Sequence, residues 1–493
     1  MNSDDTPLLL FGDQLGPHFR AGHEQRGIVL VESAAALRRR PYHRQKLHLV
    51  LSGLRHAAAE LGDRAVLLRA DTYRRALHEF GRPVLVHEPG SHAAERLVER
   101  MRADGLVAEV LPTPAFALSR KEFGEWARDR DRFLMEDFYR DQRRRFGILL
   151  DGGDPAGGRW NFDADNRESP PKGTARLDVA EPWWPDEDDI DAEVRRDLDR
   201  WSLPTVGKDG PRRFAVTRDE AVRAARHFVD ERLGLFGPFE DAVLTRDWTM
   251  AHSLLSVPLN HGLLHPLEVV RAAERAYRDK GLPLSGVEGF VRQVLGWREY
   301  VWHLYWHFGP DYLRHNVFDA TAELPVWWTG LRPGHVRAAC VRTALESVRD
   351  RSWVHHIQRL MVLGNHALQR EYDPRALNDW FATAFVDGTP WVMPVNVIGM
   401  SQHADGGLIA TKPYLSGGAY LNRMTDHCRD CWFDPKRRRG ERACPFTAGY
   451  WAWLSRHEEP MSRNHRMARA VQSLRRLDDA PEVAAQEAER QQF

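Results

Sequence analysis

The hydrophobic pattern of this chain changes period once, and that change constrains its fold more than any other feature. In the first 150 residues the apolar residues form short runs: Leu8–Phe11, Gly27–Val31, Ala65–Arg69, Pro83–His87 and Val107–Leu111. Stretches of helical period lie between them, such as Tyr42–Leu61 and Ala93–Arg102. This alternation predicts a doubly wound parallel sheet with helices on both faces. From about residue 217 strand signals nearly vanish, and apolar residues recur at helical spacing, as in Gly289–Phe308 and Val341–Leu363. The expected order is an α/β domain over 1–150, a Gly-, Pro- and Asp-rich connector over 151–215, and an all-α domain over 216–477. A polar tail, 478–493, is expected to be disordered.

Ligands of such sheets bind beyond the carboxyl ends of the strands. Gly12-Asp13-Gln14 follows the first run and Glu88-Pro89-Gly90 the fourth. Neither is a G-x-G-x-x-G fingerprint, so a dinucleotide site is not expected there. No apolar stretch is long enough for a membrane helix, and a soluble, cytoplasmic bacterial monomer is expected. The 70 basic and 70 acidic residues cancel, so no global field points to nucleic acid, although only seven of the basic residues are Lys. Arg clusters at 143–145, 212–213 and 437–439 are the local candidates for phosphate contact.

The four cysteines are Cys340, Cys428, Cys431 and Cys444, the last three spaced C-x2-C-x12-C. Four thiolates with none to spare suit one metal centre, either a [4Fe–4S] cluster or a structural zinc. Other constellations lie in the helical half. Arg292, Gly296 and Glu299 share a helix face, a polar stripe suited to close approach of a ligand, although periodicity alone favours an ordinary amphipathic helix. Ser253, Leu254, Leu255 and Ser256 precede Pro258, where hydroxyls and free N–H groups suit a phosphate. His355 and His356 stand adjacent in a helix-like run, one able to face a pocket and the other to orient it. Asp387, Asn396, Gly399 and Tyr414 lie in a Gly-punctuated, aromatic stretch of the kind that lines sites.

In order and spacing, these pieces resemble the photolyase–cryptochrome superfamily, and more narrowly its iron–sulfur bacterial cryptochromes and prokaryotic (6-4) photolyases. The resemblance runs from about Leu8 to Arg466. Gly158–Asp163 with Asn166-Arg167, Glu288–Tyr300, His355–Met361, Asn396–Gln402, Lys412-Pro413-Tyr414 and the four cysteines carry it. It implies an α/β antenna domain, a long linker and a helical domain that binds FAD. It also implies a [4Fe–4S] cluster on Cys340, Cys428, Cys431 and Cys444 rather than zinc.

The resemblance makes Ser253–Ser256 a flavin phosphate or ribityl contact and places Arg359 and Asp387 at the reactive flavin edge. Gln293, Arg298 and Asn396 match further cofactor-binding motif positions. The implied activity is blue-light-driven repair of (6-4) photoproducts in UV-damaged DNA, on a nucleotide swung out of the stack. His356 is then the main proton-transfer residue, His355 the second, and Tyr414 a lesion-pocket residue. Trp380 and Trp328 match two members of an aromatic electron relay. Phe381 and Thr389 stand where relatives can carry Tyr. Relatives bind 6,7-dimethyl-8-ribityllumazine as antenna between two carboxylates. Asp13 matches the first, and Ala36 replaces the second, leaving Glu32 as a substitute. DNA contact is expected at Arg437–Arg439 and Arg442. Two competing readings are a cryptochrome-like blue-light photoreceptor with little repair, and a zinc-stapled nucleic-acid binder without flavin. The His355–His356 pair and Tyr414 favour repair.

Overall fold

The computed structural model describes residues 5–493. Six strands occupy the first 111 positions: β1 (Leu8–Leu9), β2 (Ile28–Ser33), β3 (Tyr42–His43), β4 (Ala65–Ala70), β5 (Val84–His87) and β6 (Val107–Leu111). All but β3 form one parallel sheet in the order β4-β2-β1-β5-β6. The central strands are buried on both faces, with Leu8, Leu9, Leu30 and Val84 fully enclosed, as helices covering both sides require. Strand order reverses between β1 and β5, and at that point crevices open in sheets of this kind.

The connector is more structured than its composition suggests. Asp189–Trp201 is a helix, started by a capping box at Asp188. It packs on the helix Arg44–Leu61 through buried charge: Arg55 binds Glu32 at 2.7 Å and Asp197 at 2.6 Å, and Arg212 binds Asp191 at 3.0 Å. β3 pairs with Thr205–Val206, a second tie between connector and sheet domain. Upstream, the Phe162 N–H donates to Glu288 and the Asn166 amide to the Ser285 carbonyl, docking the Gly158–Asp163 motif on the helix Leu284–Val291.

Two other expectations are corrected. The polar tail forms a helix, Ala480–Ala488, against the helix Pro445–Arg456. Val483 is fully buried there, and Glu487 pairs with Arg370 and Arg490, each at 2.6 Å. Polar composition concealed one buried valine and one buried carboxylate with two guanidinium partners. The run Val341–Leu363 is also not one helix. The helix Ala339–Arg351 ends at Ser352, which takes φ +55° while its hydroxyl binds the Ala384 carbonyl. The helix resumes at His356.

Three motif segments share an irregularity. Arg292–Arg298, Gln358–Gly364 and Val395–Ser401 are π-helical turns, which widen a helix by one residue and recur at functional sites. Among the described residues no helix is long and apolar enough to cross a membrane.

Candidate active site

The site gathers around Asp387, in the loop after the helix Pro374–Ala384. Its carboxylate receives a fork from Arg359, at 2.8 and 3.1 Å, and the Ser256 hydroxyl at 2.7 Å. The Asn260 amide binds the Asp387 carbonyl at 3.2 Å. Three segments distant in sequence therefore converge: 253–260, the π turn holding Arg359, and the 387 loop. Ser256 begins a helix of five residues, Ser256–Asn260, and Leu254 before it takes φ +58°. Ser253 hydrogen-bonds the Leu255 N–H at 3.3 Å. The Ser256 hydroxyl is thus committed to Asp387 rather than left open for a phosphate.

Lys46 joins this centre from the α/β domain, on the helix Arg44–Leu61. Its ammonium donates to the carbonyls of Ala382 (2.8 Å), Phe385 (3.1 Å) and Gly388. Burial lowers its pKa to about 8, and the neighbouring Asp387 opposes that shift. Sequence reasoning missed Lys46; its rarity in an Arg-biased chain was the available signal.

His356 opens the helix after the Ser352 break. It keeps accessible surface although protein atoms surround it closely. Burial, then Arg359 and His252, push its imidazole down to about 4. His355 points elsewhere. It is buried and stacked on His252 at 4.4 Å, with neither ring nitrogen partnered, and burial holds its pKa well below the usual value. His355 lies just before the helix that His356 opens, and the two rings have different neighbours. Tyr414, like Trp297 and Tyr420, packs against the cluster of Val243, Ile357, Leu360, Met361 and Met400.

The remaining assignments divide. Gln293 binds Glu240 at 2.5 Å; burial, then Asp241 and Asp163, raise that carboxyl to about 8. The Asn396 amide donates to the Val392 carbonyl at 2.7 Å. Arg298 reaches the Leu259 carbonyl at 3.0 Å, and its Nε has no partner. The stripe Arg292–Gly296–Glu299 does not face a ligand. Arg292 binds Glu136 at 2.7 Å, Gly296 lies against Met135 and Tyr139, and Glu299 accepts the Ala117 N–H at 2.9 Å. The glycine there admits the helix Met135–Phe146.

Trp380 and Trp328 are buried with ring centres 5.2 Å apart. Phe385 lies 5.6 Å from Trp380 and also beneath the Arg359 guanidinium, at 4.4 Å. Thr389 has an unpartnered buried hydroxyl. Orphaned polar atoms on Thr389, His355 and Arg298 are what a polar ligand would satisfy.

Asp13 and Glu32 part company. Asp13 follows β1 and touches Gly90 after β5, at the sheet's switch point, and burial raises its carboxyl to about 6. Glu32 lies on β2, held by Arg55 and by Arg69 at 3.3 Å. It lines a separate hollow of about 360 Å³ with Arg38, Arg75 and Trp201. Its carboxylate is spent on those arginines, so it does not supply the acid that Ala36 lacks.

Cys340, Cys428, Cys431 and Cys444 line one small pocket. Cys340 is the second residue of the helix Ala339–Arg351, and Cys444 caps the helix Pro445–Arg456. Burial, then the other three thiols, raise the Cys340 thiol well above its usual value; burial brings Cys428 up to about 12. Gly418 leaves room beside Cys444, where a Cβ would stand 3.0 Å from the sulfur. The arginines expected at a DNA rim are engaged: Arg438 with Asp479 at 2.9 Å, Arg437 with Asp434 at 3.6 Å, Arg442 with the Trp432 carbonyl at 3.0 Å. The charged neighbours of Tyr414 and Tyr420 are of both signs: Asp163 and Asp241, with Arg167, Arg423 and Arg466, and Arg167 pairs with Asp163.

A two-part architecture with a parallel sheet and a helical unit containing such a centre is that of the photolyase–cryptochrome superfamily. A bacterial class III photolyase from Agrobacterium tumefaciens superposes with a TM-score of 0.56, at 16% identity, over 95% of this chain and 98% of that one. A cryptochrome from Synechocystis superposes with a TM-score of 0.51, at 11% identity, over 80% and 82%. The family model of deoxyribodipyrimidine photo-lyase-related proteins matches residues 8–214. A (6-4) photolyase of Agrobacterium fabrum is 40% identical over 494 aligned positions, covering 96% of both chains. The chain belongs to the (6-4) photolyase family.

Proposed function

We propose that this protein repairs (6-4) pyrimidine–pyrimidone photoproducts in UV-damaged DNA, driven by blue light absorbed by bound FAD. The observation that carries the reading is the joining of Arg359, Asp387 and Ser256, with His356 three residues before Arg359 and Tyr414 packed on the cluster that includes Ile357 and Met361. The near full-length identity to a (6-4) photolyase supports it. Bound reduced FAD would supply, on excitation, one electron to the lesion and receive it back.

The chain's own residues do the rest. Arg359 and Asp387 would offer a fixed pair of opposite charges to the flavin, and Ser253, with the backbone of Leu254 and Leu255, would hold its phosphate or ribityl part. Gln293, Arg298 and Asn396, which lie on π turns, would hold the rest of the cofactor. At neutral pH His356 is uncharged in the free protein, so its ring nitrogen accepts a proton from the lesion and returns it as the hydroxyl or amino group goes back to its base. His355 orients this region through its stack on His252 rather than by touching the lesion. Tyr414 borders the damaged base, while Arg167, Arg423 and Arg466 meet backbone phosphate, a contact that carries no sequence preference.

The four cysteines hold a [4Fe–4S] cluster in this reading. The one His/Cys/Asp/Glu triplet among the described residues with ligand atoms within 4.8 Å of one another is His56, Asp188 and Asp191. No three of the four sulfurs meet that limit, whereas all corners of a single zinc tetrahedron stand ~3.8 Å apart for bonds of ~2.3 Å. Asp13, partly buried at the switch point and without a cationic partner among the described residues, is the residue that would meet a lumazine-type antenna. The domain scheme follows: antenna domain 1–150, connector 151–215, and a FAD-binding catalytic unit from 216.

Illumination of His356→Ala with a duplex containing one (6-4) lesion tests the assignment. Restoration of the bases should fall by about 100-fold or more, and much less for His355→Ala. Repair by His356→Ala near the parent rate refutes the assignment.

A further inference from the structure

We propose that Trp327 is the outer member of the electron relay, so that electrons enter this protein through Trp327, Trp328 and Trp380 in turn; this rests on the flavin reading above. Two positions where relatives can carry Tyr are Phe381 and Thr389 here, and neither side chain gives up an electron readily. With Trp380 and Trp328 alone, the wire would end in the interior, because Trp328 is fully buried.

The geometry supplies the missing step. Trp380 and Trp328 ring centres are 5.2 Å apart, and those of Trp328 and Trp327 are 5.7 Å apart. Trp327 is only partly buried. The indole N–H groups of Trp380 and Trp328 have no acceptor. An oxidised ring at either place cannot shed its proton, so the positive charge stays mobile. At Trp327 water can take the proton, and the charge is trapped there.

Two rival exits are disfavoured by their surroundings. Tyr372 lies 5.9 Å from Trp328 but is buried, and burial pushes its phenol up to about 12. Its oxidation would strand a proton. A second ladder, Trp391–Trp302–Trp306, has 5.5 Å steps. Arg120 stacks 3.3 Å from Trp306, and Arg298 lies 5.3 Å from Trp391. A cation over a ring stabilises its electrons and opposes their loss. Near the Trp380 ladder the arginines stack elsewhere: Arg359 over Phe385 and Trp353, Arg370 over Phe493.

The electron count closes with a thiol reductant. Trp380 gives one electron to the photoexcited oxidised flavin, Trp328 refills Trp380, and Trp327 refills Trp328. Oxidised Trp327 loses its N–H proton to water. A thiol then returns one electron and one proton to it, and two thiyl radicals couple to a disulfide.

The test is flash excitation of the FAD-loaded full chain with dithiothreitol present. In Trp327→Phe, quenching of flavin fluorescence should match the parent, because the first step is intact. The long-lived neutral tryptophanyl signal should vanish, and steady photoreduction should slow by about tenfold or more. Trp327→Tyr, which keeps an oxidisable ring and controls for packing, should recover part of the rate; Tyr372→Phe and Trp306→Phe should behave as the parent. Parent-like photoreduction in Trp327→Phe, or transfer of the loss to Tyr372→Phe or Trp306→Phe, overturns the proposal. A parent that binds flavin but does not photoreduce overturns it alone, whereas a parent without flavin removes the functional reading as well.

Discussion

Asp387→Asn removes one negative charge and almost no volume from the centre of the site. In the parent, Asp387 and Arg359 have side-chain exposures of 6% and 17%, and their fork closes at 2.8 and 3.1 Å. The Lys46 ammonium is the second cation whose charge Asp387 offsets. An asparagine can still accept from Ser256 and present one oxygen to Arg359, but two buried cations then share no anion. Breaking a buried pair from one side costs ~3–5 kcal/mol, a large part of the 5–15 kcal/mol or so that holds a domain folded. The substitution should lower the urea midpoint of the helical unit accordingly, followed by tryptophan fluorescence. Arg359→Met should cost a similar amount. The double variant should lose less than the sum, by ~2 kcal/mol, because the partners sense each other directly. Purified Asp387→Asn should also retain less flavin. A loss below ~1 kcal/mol, the level of an ordinary substitution, or additive single effects would show that the pair is not the electrostatic anchor described here.

Two further outcomes are expected. Lys46 has a folded pKa of about 8 against an ordinary value of 10.5. Between those values the unfolded chain binds more protons than the folded one, so this residue makes stability rise with pH from about 8 to 10.5. Lys46→Met should flatten that rise in urea midpoints measured across the window; an unchanged slope would assign it to other groups. Cys340→Ser should abolish iron binding and the brown absorbance while the parent carries about four irons per chain. A parent with one zinc and no iron would overturn the cluster assignment.

The alternation of short apolar runs with amphipathic stretches located all five strands of the main sheet to within a few residues; burial on both faces marks the central three, and the edge strands keep short apolar runs. The His355–Met361, Asn396–Gln402 and cysteine motifs were likewise legible, since their chemistry lies in residue type and local spacing. The Arg292–Gly296–Glu299 stripe is ambiguous in sequence for a definite reason: a glycine and two charges on one helix face suit a ligand or another helix, and here the neighbour is Met135–Phe146. Glu32 misled, because a carboxylate in a strand gives no sign of Arg55, 23 residues on, which claims it.

The sequence by itself determined the two-part architecture, the cysteine set and the identity of the groups able to move protons and electrons. Only the tertiary structure decided which groups share a charge. Lys46 against Asp387, Ser256 against Asp387 and Trp327 against Trp328 at a usable angle are relations across hundreds of residues or across a single side-chain rotation. Hydrophobic periodicity is a one-dimensional consequence of burial and survives in the string. Electrostatic partnership depends on distance in space, and the string does not record it.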